Sequence, residues 1–179
     1  MKNQIKLLDK EFVLFIEEDR IQNRIIQIAD QINNDYKDKI PTFLIVLKGA
    51  LLFAADLLKR IKVRCKVEVI SAKSYGNEME SSGTVKLKHL ESNFKNKDLI
   101  IIEDVIDTGL TMKTLLDDIN KYEPNSIEVA AILTKPNAIK TNVKIKYVGF
   151  EIDNLFVVGY GLDYAEFGRE LPDIYVLKV

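Results

Sequence analysis

Three acids fall within five positions at Glu103, Asp104 and Asp107, and Thr108, Gly109 and Thr111 follow at once. Adjacent carboxylates accept hydrogen bonds from paired hydroxyls, such as those of a ribose. A Thr- and Gly-containing turn that opens a helix offers backbone N–H groups, the positive end of the helix dipole and hydroxyl donors to a phosphate. A phosphorylated sugar satisfies both halves. Taken alone, the same acids also fit solvated turn residues, and Asp107 fits an N-cap. Two standard phosphate motifs are absent: no GxxxxGK[ST] run occurs, and Gly159-Tyr160-Gly161 lacks the third glycine of a dinucleotide fingerprint.

The elements that must hold these residues can be read from periodicity. Leu99 to Ile102 is a fully apolar run leading into the acids, and the residues from about Thr111 to Tyr122 form a helical pattern that Glu123-Pro124 stops. Phe43 to Leu47 is a second apolar run, ending at Lys48-Gly49 and followed by a helix over Ala50 to Leu58. Two such strand-to-helix units predict an α/β protein with a mainly parallel sheet covered on both faces. Ile21, Ile25, Ile28 and Ile32 share one face of a helix whose start carries Glu17, Glu18 and Asp19. Val63, Cys65, Val67 and Val69 alternate with charged residues as a half-buried strand, and Val85 to His89 alternates likewise. The polar stretch Gly76 to Thr84 between them reads as a loop, and the pair as an antiparallel extension or flap. Further strands are predicted over Ile127 to Leu133, Tyr147 to Ile152, Phe156 to Tyr160 and Ile174 to Leu177. In an open sheet of this kind, ligands bind outside the carboxyl ends of the strands, near the switch in strand order.

The 179 residues suit one domain, with no linker and no internal repeat. The 26 basic and 27 acidic residues leave a net charge of −1, which removes the simplest argument for a nucleic-acid or membrane-surface partner. The lone Cys65 excludes an intrachain disulfide and any CxxC site. Its solitude and the charged N-terminal stretch lead us to expect a cytoplasmic protein. The longest uncharged, mostly apolar stretches span seven residues, against the ~20 that cross a bilayer.

The segment IIEDVIDTGLT, Ile101 to Thr111, resembles the signature by which type I phosphoribosyltransferases bind 5-phosphoribosyl-1-pyrophosphate. Four further features, in the same order along the chain, resemble the hypoxanthine-guanine branch. They are Leu47-Lys48-Gly49 as a pyrophosphate loop, Ser74-Tyr75 opening a mobile catalytic loop, Lys135 as a purine-reading lysine, and Val148 to Ile152 with Phe156 to Tyr164 as a base-binding hood. The resemblance implies a type I phosphoribosyltransferase fold: a twisted, mainly parallel sheet flanked by helices, with a flexible lid loop and a small hood built from the N-terminal segment and about 153–179. It implies Mg²⁺-dependent transfer of the phosphoribosyl group to hypoxanthine, guanine or both, giving IMP or GMP and pyrophosphate.

Carried onto this chain, the family's roles place phosphoribosyl pyrophosphate on Lys48, Gly49, Ser74, Tyr75, Glu103, Asp104, Asp107, Thr108, Gly109, Leu110, Thr111 and Arg169. Asp107 is the expected catalytic group, a general base or proton holder for purine N7. Lys135 would donate to the 6-oxo group, which disfavours adenine because two donors would then face each other. Phe156 would stack on the base, and backbone carbonyls near Val157 and Asp163 would read its edge. Mg²⁺ would be held by Glu103 and Asp104, and a second ion by Asp163. The family's Leu47-Lys48 peptide can be cis. Each residue has a plainer reading: Lys135 as an exposed lysine, Phe156 as core packing, Asp163 as a turn residue, His89 as a packing histidine. Asn77 to Glu80 is more acidic than the usual lid, and the arginines that often follow the purine-reading lysine are missing here. The family's assemblies lead us to expect a homodimer or homotetramer.

Two other functions fit parts of the sequence. A regulator on the same fold would draw on the basic run Lys59 to Lys66, and a transferase for xanthine or a pyrimidine would share the phosphate signature. Alternation of the basic run favours a solvated strand face, and Lys135 favours a 6-oxopurine.

Overall fold

The computed structural model describes residues 3–71 and 94–178. The predicted lid, with Ser74 and Tyr75, and the strand carrying His89 lie outside the described residues. In chain order the elements are β1 (Gln4–Leu7), β2 (Lys10–Ile16), α1 (Glu18–Asp35), β3 (Thr42–Leu47), α2 (Leu51–Leu58), β4 (Lys66–Ser71), β5 (Asp98–Ile106), α3 (Leu110–Asn120), β6 (Ser126–Thr134), β7 (Tyr147–Glu151), β8 (Val157–Val158) and β9 (Ile174–Leu177).

The main sheet is wholly parallel in the order β4-β3-β5-β6-β7. Its central strands are apolar throughout because both faces are covered. Phe43 and Ile45 of β3 and Ile100 and Ile102 of β5 pack with Ile21, Ile25, Ile28 and Ile32 of α1 and with Phe53 and Leu57 of α2. Leu44, Val46, Leu99 and Ile101 face the other way, onto Met112, Leu115 and Ile119 of α3. Each fully buried aliphatic side chain contributes roughly 1.5–3 kcal/mol, so this double-sided core anchors the strand ends where loops emerge.

A second, antiparallel sheet has the order β1-β2-β9-β8 and a small core of Phe12, Val158 and Tyr175. It is tied to the main body by Asp173, which is 4% exposed and accepts the Glu18 N–H at the start of α1 at 2.8 Å. That long-range carboxylate serves the helix start, where Glu17 provides no side-chain cap.

Three expectations need correction. β4 pairs parallel with β3 in the main sheet, so it is no antiparallel extension. Val67 and Val69, expected on a buried face, are 48% and 53% exposed, while Ile70 on the opposite face is buried. They share the face of Phe43 and Ile45 but sit at the edge of the described sheet, beyond the helices' cover. The strand expected from Phe156 to Tyr160 contracts to two residues, because Gly159, Tyr160 and Gly161 all take positive φ and turn the chain away. Between β6 and β7 there is no helix: residues 135–146 cross over as irregular chain, covering the α3 side with Ile139, Val143 and Ile145.

Candidate active site

From β3 the chain moves outward to β4, then returns across β3 to place β5 on its other side. The reversal opens a crevice at the carboxyl ends of β3 and β5. It holds a cleft of about 380 Å³ lined by Lys48, Gly49, Glu103, Asp104, Asp107, Thr108, Gly109, Thr111 and Arg169, among others. A larger hollow of about 550 Å³, between β1, the start of α1 and Leu171 to Tyr175, contains none of the predicted residues.

The floor of the cleft is a packed set of small groups. A Cβ built on Gly49 would lie 1.5 Å from Asp104 Oδ2, so the carboxylate rests directly on the glycine backbone. A Cβ on Gly161 would lie 2.0 Å from the Gly49 carbonyl oxygen, and Gly161 has φ +97°. No other residue fits either place without movement. The Leu47–Lys48 peptide bond is cis. Asp104 Oδ1 accepts the Val105 N–H at 2.8 Å, which orients the second oxygen towards Gly49. Burial, and next the neighbouring Asp104 charge, push the Glu103 carboxyl well above the usual carboxylate range.

The phosphate turn follows from β5 and α3. Gly109 is the N-cap of α3 in a left-handed conformation, φ +78°, and its Cβ would meet Thr141 Oγ1 at 2.3 Å. Thr108 Oγ1 is 3.4 Å from the Leu110 nitrogen, while its carbonyl accepts the Lys140 N–H at 2.9 Å. Since the first four N–H groups of a helix have no partner within it, this turn presents donors to the cleft. The N-cap reading of Asp107 fails, because Gly109 holds that place and Asp107 Oδ2 accepts from Lys135 Nζ at 2.7 Å. The exposed reading of Lys135 also fails: the residue is only 9% exposed, with its backbone N–H bonded to the Ile106 carbonyl at 2.9 Å.

The far wall carries charge. Arg169 bonds Asp163 Oδ1 at 2.7 Å through NH2 and the Gly161 carbonyl at 2.8 Å through NH1, while its buried Nε has no partner among the described residues. Asp163 Oδ2 also accepts the Glu166 N–H at 2.8 Å, so this residue serves both the turn and the ion pair. Lys48 Nζ reaches across to Glu166 Oε2 at 2.7 Å.

Of the remaining predicted residues, Leu110 begins α3 with an exposed side chain, and Val157 is buried in β8. Phe156 immediately precedes β8, outside the cleft lining, 46% exposed, tilted against Phe12 at 6.2 Å and edge-on to Tyr164 at 6.0 Å. A plain core role for it is therefore excluded. Sequence reasoning missed Glu166 and Thr141, whose contacts with Lys48 and Gly109 span long separations; the unusual positive φ of Ala165 and Glu166 leaves no periodic signal to read. The basic run forms no open cationic face at its start: Lys59 pairs with Asp56 at 2.9 Å, and Arg60 is held by Gln22 and the Asp56 carbonyl.

For Mg²⁺, no group of three or more His, Cys, Asp or Glu converges among the described residues. Mg²⁺ uses one or two carboxylates and completes its shell with substrate oxygens and water. The crowded Glu103–Asp104 pair fits such a role, since a cation would relieve their mutual repulsion. Asp163, paired with Arg169, stands apart from them.

A phosphate turn and paired acids at the switch point of a parallel sheet define a phosphoribosyl-binding transferase, and the chain belongs to the phosphoribosyl transferase domain family, whose model matches residues 17–165. Within that family it is similar to the hypoxanthine-guanine phosphoribosyltransferase of Bacillus subtilis, 43% identical over 95% of this chain and 94% of that protein. The Mycobacterium tuberculosis enzyme of the same name is 43% identical over 89% of this chain and 82% of its own. Among solved structures, a Bacillus anthracis hypoxanthine-guanine phosphoribosyltransferase matches with TM-score 0.86 and 38% identity over 97% of this chain and all (100%) of that one. A Staphylococcus aureus hypoxanthine phosphoribosyltransferase matches with TM-score 0.87 and 40% identity, covering 92% and 90%.

Proposed function

We propose that this chain transfers the 5-phosphoribosyl group of phosphoribosyl pyrophosphate to hypoxanthine, guanine or both, releasing pyrophosphate and IMP or GMP. The observation that carries the reading is the Asp107–Lys135 ion pair, which joins the phosphate turn to a nearly buried lysine at the end of the neighbouring strand. A proton acceptor and a donor suited to a 6-oxo group thus stand side by side where base and sugar must meet.

The reaction forms a bond from a purine ring nitrogen to the anomeric carbon and breaks that carbon's bond to pyrophosphate. Charge builds as an oxocarbenium ion on the ribose and as anion on the leaving group. Glu103 and Asp104 hold the ribose hydroxyls. The α3 N-terminus, Thr108 and Thr111 hold the 5-phosphate, and Lys48, Gly49 and Arg169 receive the pyrophosphate. Asp107 accepts the N7 proton while Lys135 donates to the 6-oxo oxygen. Phe156 offers its exposed face for stacking. Mg²⁺ on Glu103 and Asp104 would neutralise developing charge on pyrophosphate and orient the ribose. Asp163 would serve a second ion once drawn from Arg169.

The protein works as a single domain, 1–179, with the second sheet as its hood, in the cytoplasm and as a homodimer or homotetramer. No helix among the described residues is long and apolar enough to cross a membrane. Pyrophosphate release from phosphoribosyl pyrophosphate, with hypoxanthine, guanine, xanthine and adenine offered separately and Mg²⁺ present or removed, tests the reading. Turnover with a 6-oxopurine and little with adenine is expected. Tight phosphoribosyl pyrophosphate binding without turnover on any base would favour the regulator.

A further inference from the structure

The two cations that face the leaving group's place are already engaged by carboxylates of one short loop. Lys48 Nζ lies 2.7 Å from Glu166 Oε2, and Arg169 NH2 lies 3.7 Å from the same oxygen and 2.7 Å from Asp163 Oδ1. Asp163 is fixed by Arg169 and by the Glu166 N–H, and its side chain is 27% exposed. Glu166 differs: its side chain is 65% exposed, it sits at φ +71°, and its carboxylate is reached only by Lys48 and Arg169 among the ion pairs here. Lys48 and Arg169 line the cleft, whereas Glu166 does not. The glutamate therefore leans in from outside onto the groups that an entering polyanion must contact.

We propose that Glu166 is an internal counterion for Lys48 and Arg169 that competes with pyrophosphate, lowering the affinity of the pyrophosphate arm and speeding departure of the product. This rests on the transferase reading above. In the free protein the carboxylate balances Lys48 and adds to the negative charge that Asp163 already sets beside Arg169. Pyrophosphate, carrying more charge, displaces it; when pyrophosphate leaves, the carboxylate returns to Lys48 and rebinding is disfavoured. The contact with Lys48 also holds the Glu166 carboxyl below the usual carboxylate range, so it stays charged and able to compete. Exposed ion pairs are weak, so the competition is modest: about a two- to fivefold effect on affinity, smaller at high salt.

The test is calorimetric titration of the folded protein with inorganic pyrophosphate, at fixed Mg²⁺ and low ionic strength, and separately with IMP, which lacks the pyrophosphate group. Glu166→Gln keeps the size and backbone preference of the side chain and removes its charge. It is expected to bind pyrophosphate about two- to fivefold tighter and IMP unchanged, with the gain shrinking as salt rises. In a Lys48→Gln background the gain should fall, because the main partner is gone. Equal or weaker pyrophosphate binding by Glu166→Gln, or a parallel change in IMP binding, overturns the counterion role. Absence of pyrophosphate binding by the unaltered protein strikes the transferase reading itself and takes this inference with it.

Discussion

Replacing Gly49 with alanine separates the geometry of the site from the stability of the fold. The added methyl would lie 1.5 Å from Asp104 Oδ2, and ordinary van der Waals distance requires that oxygen to retreat by roughly 2 Å. The obstruction is the far end of a side chain with two rotatable bonds, so the carboxylate can swing aside and the backbone need not move. Stability should therefore change little, within about 1 kcal/mol, as for a substitution that breaks no packed contact. The ribose, however, would lose one of its acceptors, since a hydrogen bond does not survive a displacement of one partner by about 2 Å. Loss of one hydrogen bond to a charged group costs ~1.5–3 kcal/mol, so kcat/KM for phosphoribosyl pyrophosphate should fall about 10- to 100-fold. Steady-state kinetics and thermal unfolding on the same preparation read both numbers. Gly161→Ala is the contrast: its methyl would strike the Gly49 backbone oxygen at 2.0 Å from a left-handed conformation, so it should lower the melting temperature as well. Near-normal activity of Gly49→Ala would refute the placement of Asp104 against the ribose. A collapse in stability would show that the carboxylate is locked in place.

Further expectations follow from the same contacts. Asp107→Asn should lower kcat by about 10²- to 10⁴-fold while changing the KM for phosphoribosyl pyrophosphate far less, and an equal loss of both would remove its proton role. Lys135→Gln should cut kcat/KM for hypoxanthine by about 10- to 100-fold and narrow the gap to adenine, whereas an unchanged base preference would end its assignment as the purine reader. Away from the site, Asp35 is held below the usual carboxylate range first by the Lys146 hydrogen bond and also by the Tyr147 hydroxyl, against the opposing effect of burial. A depressed folded-state value adds stability above the unfolded value and loses it as pH falls. Asp35→Asn should therefore melt lower than the parent at neutral pH, with the difference closing as pH drops below about 4.

Much of the architecture could be read from the chain because the central strands are buried on both faces. A continuous run such as Leu99 to Ile102 admits few places other than the middle of a covered parallel sheet. The isoleucine stripe of α1 and the limits of β9 were legible for the same reason. Edges were not. The alternation around Val67 and Val69 has the period of a half-buried strand, yet burial there depends on what lies over the strand, which local pattern does not encode. The absence of a helix between β6 and β7 is equally hidden, since Ile139, Val143 and Ile145 could serve a short helix or an irregular cover. At the site, motif order pointed to the phosphate turn and its acids, because they are contiguous. The contacts that organise them span long separations: Asp107 with Lys135, Gly49 with Asp104 and Gly161, Lys48 with Glu166.

The helix-free crossover has a thermodynamic consequence. Lys135 begins it, the Lys140 N–H bonds the Thr108 carbonyl at 2.9 Å, and Thr141 backs Gly109. One short length of chain thus carries the proposed purine-reading lysine at one end and backs the turn at Gly109 at the other. Irregular chain with few ladder hydrogen bonds opens locally at lower cost than the sheet it crosses. On the proposed function, a first substrate that restrained this segment would remove part of the ordering cost for the second. The two affinities would thereby be linked through chain connectivity, and reciprocity would make each substrate strengthen the other equally.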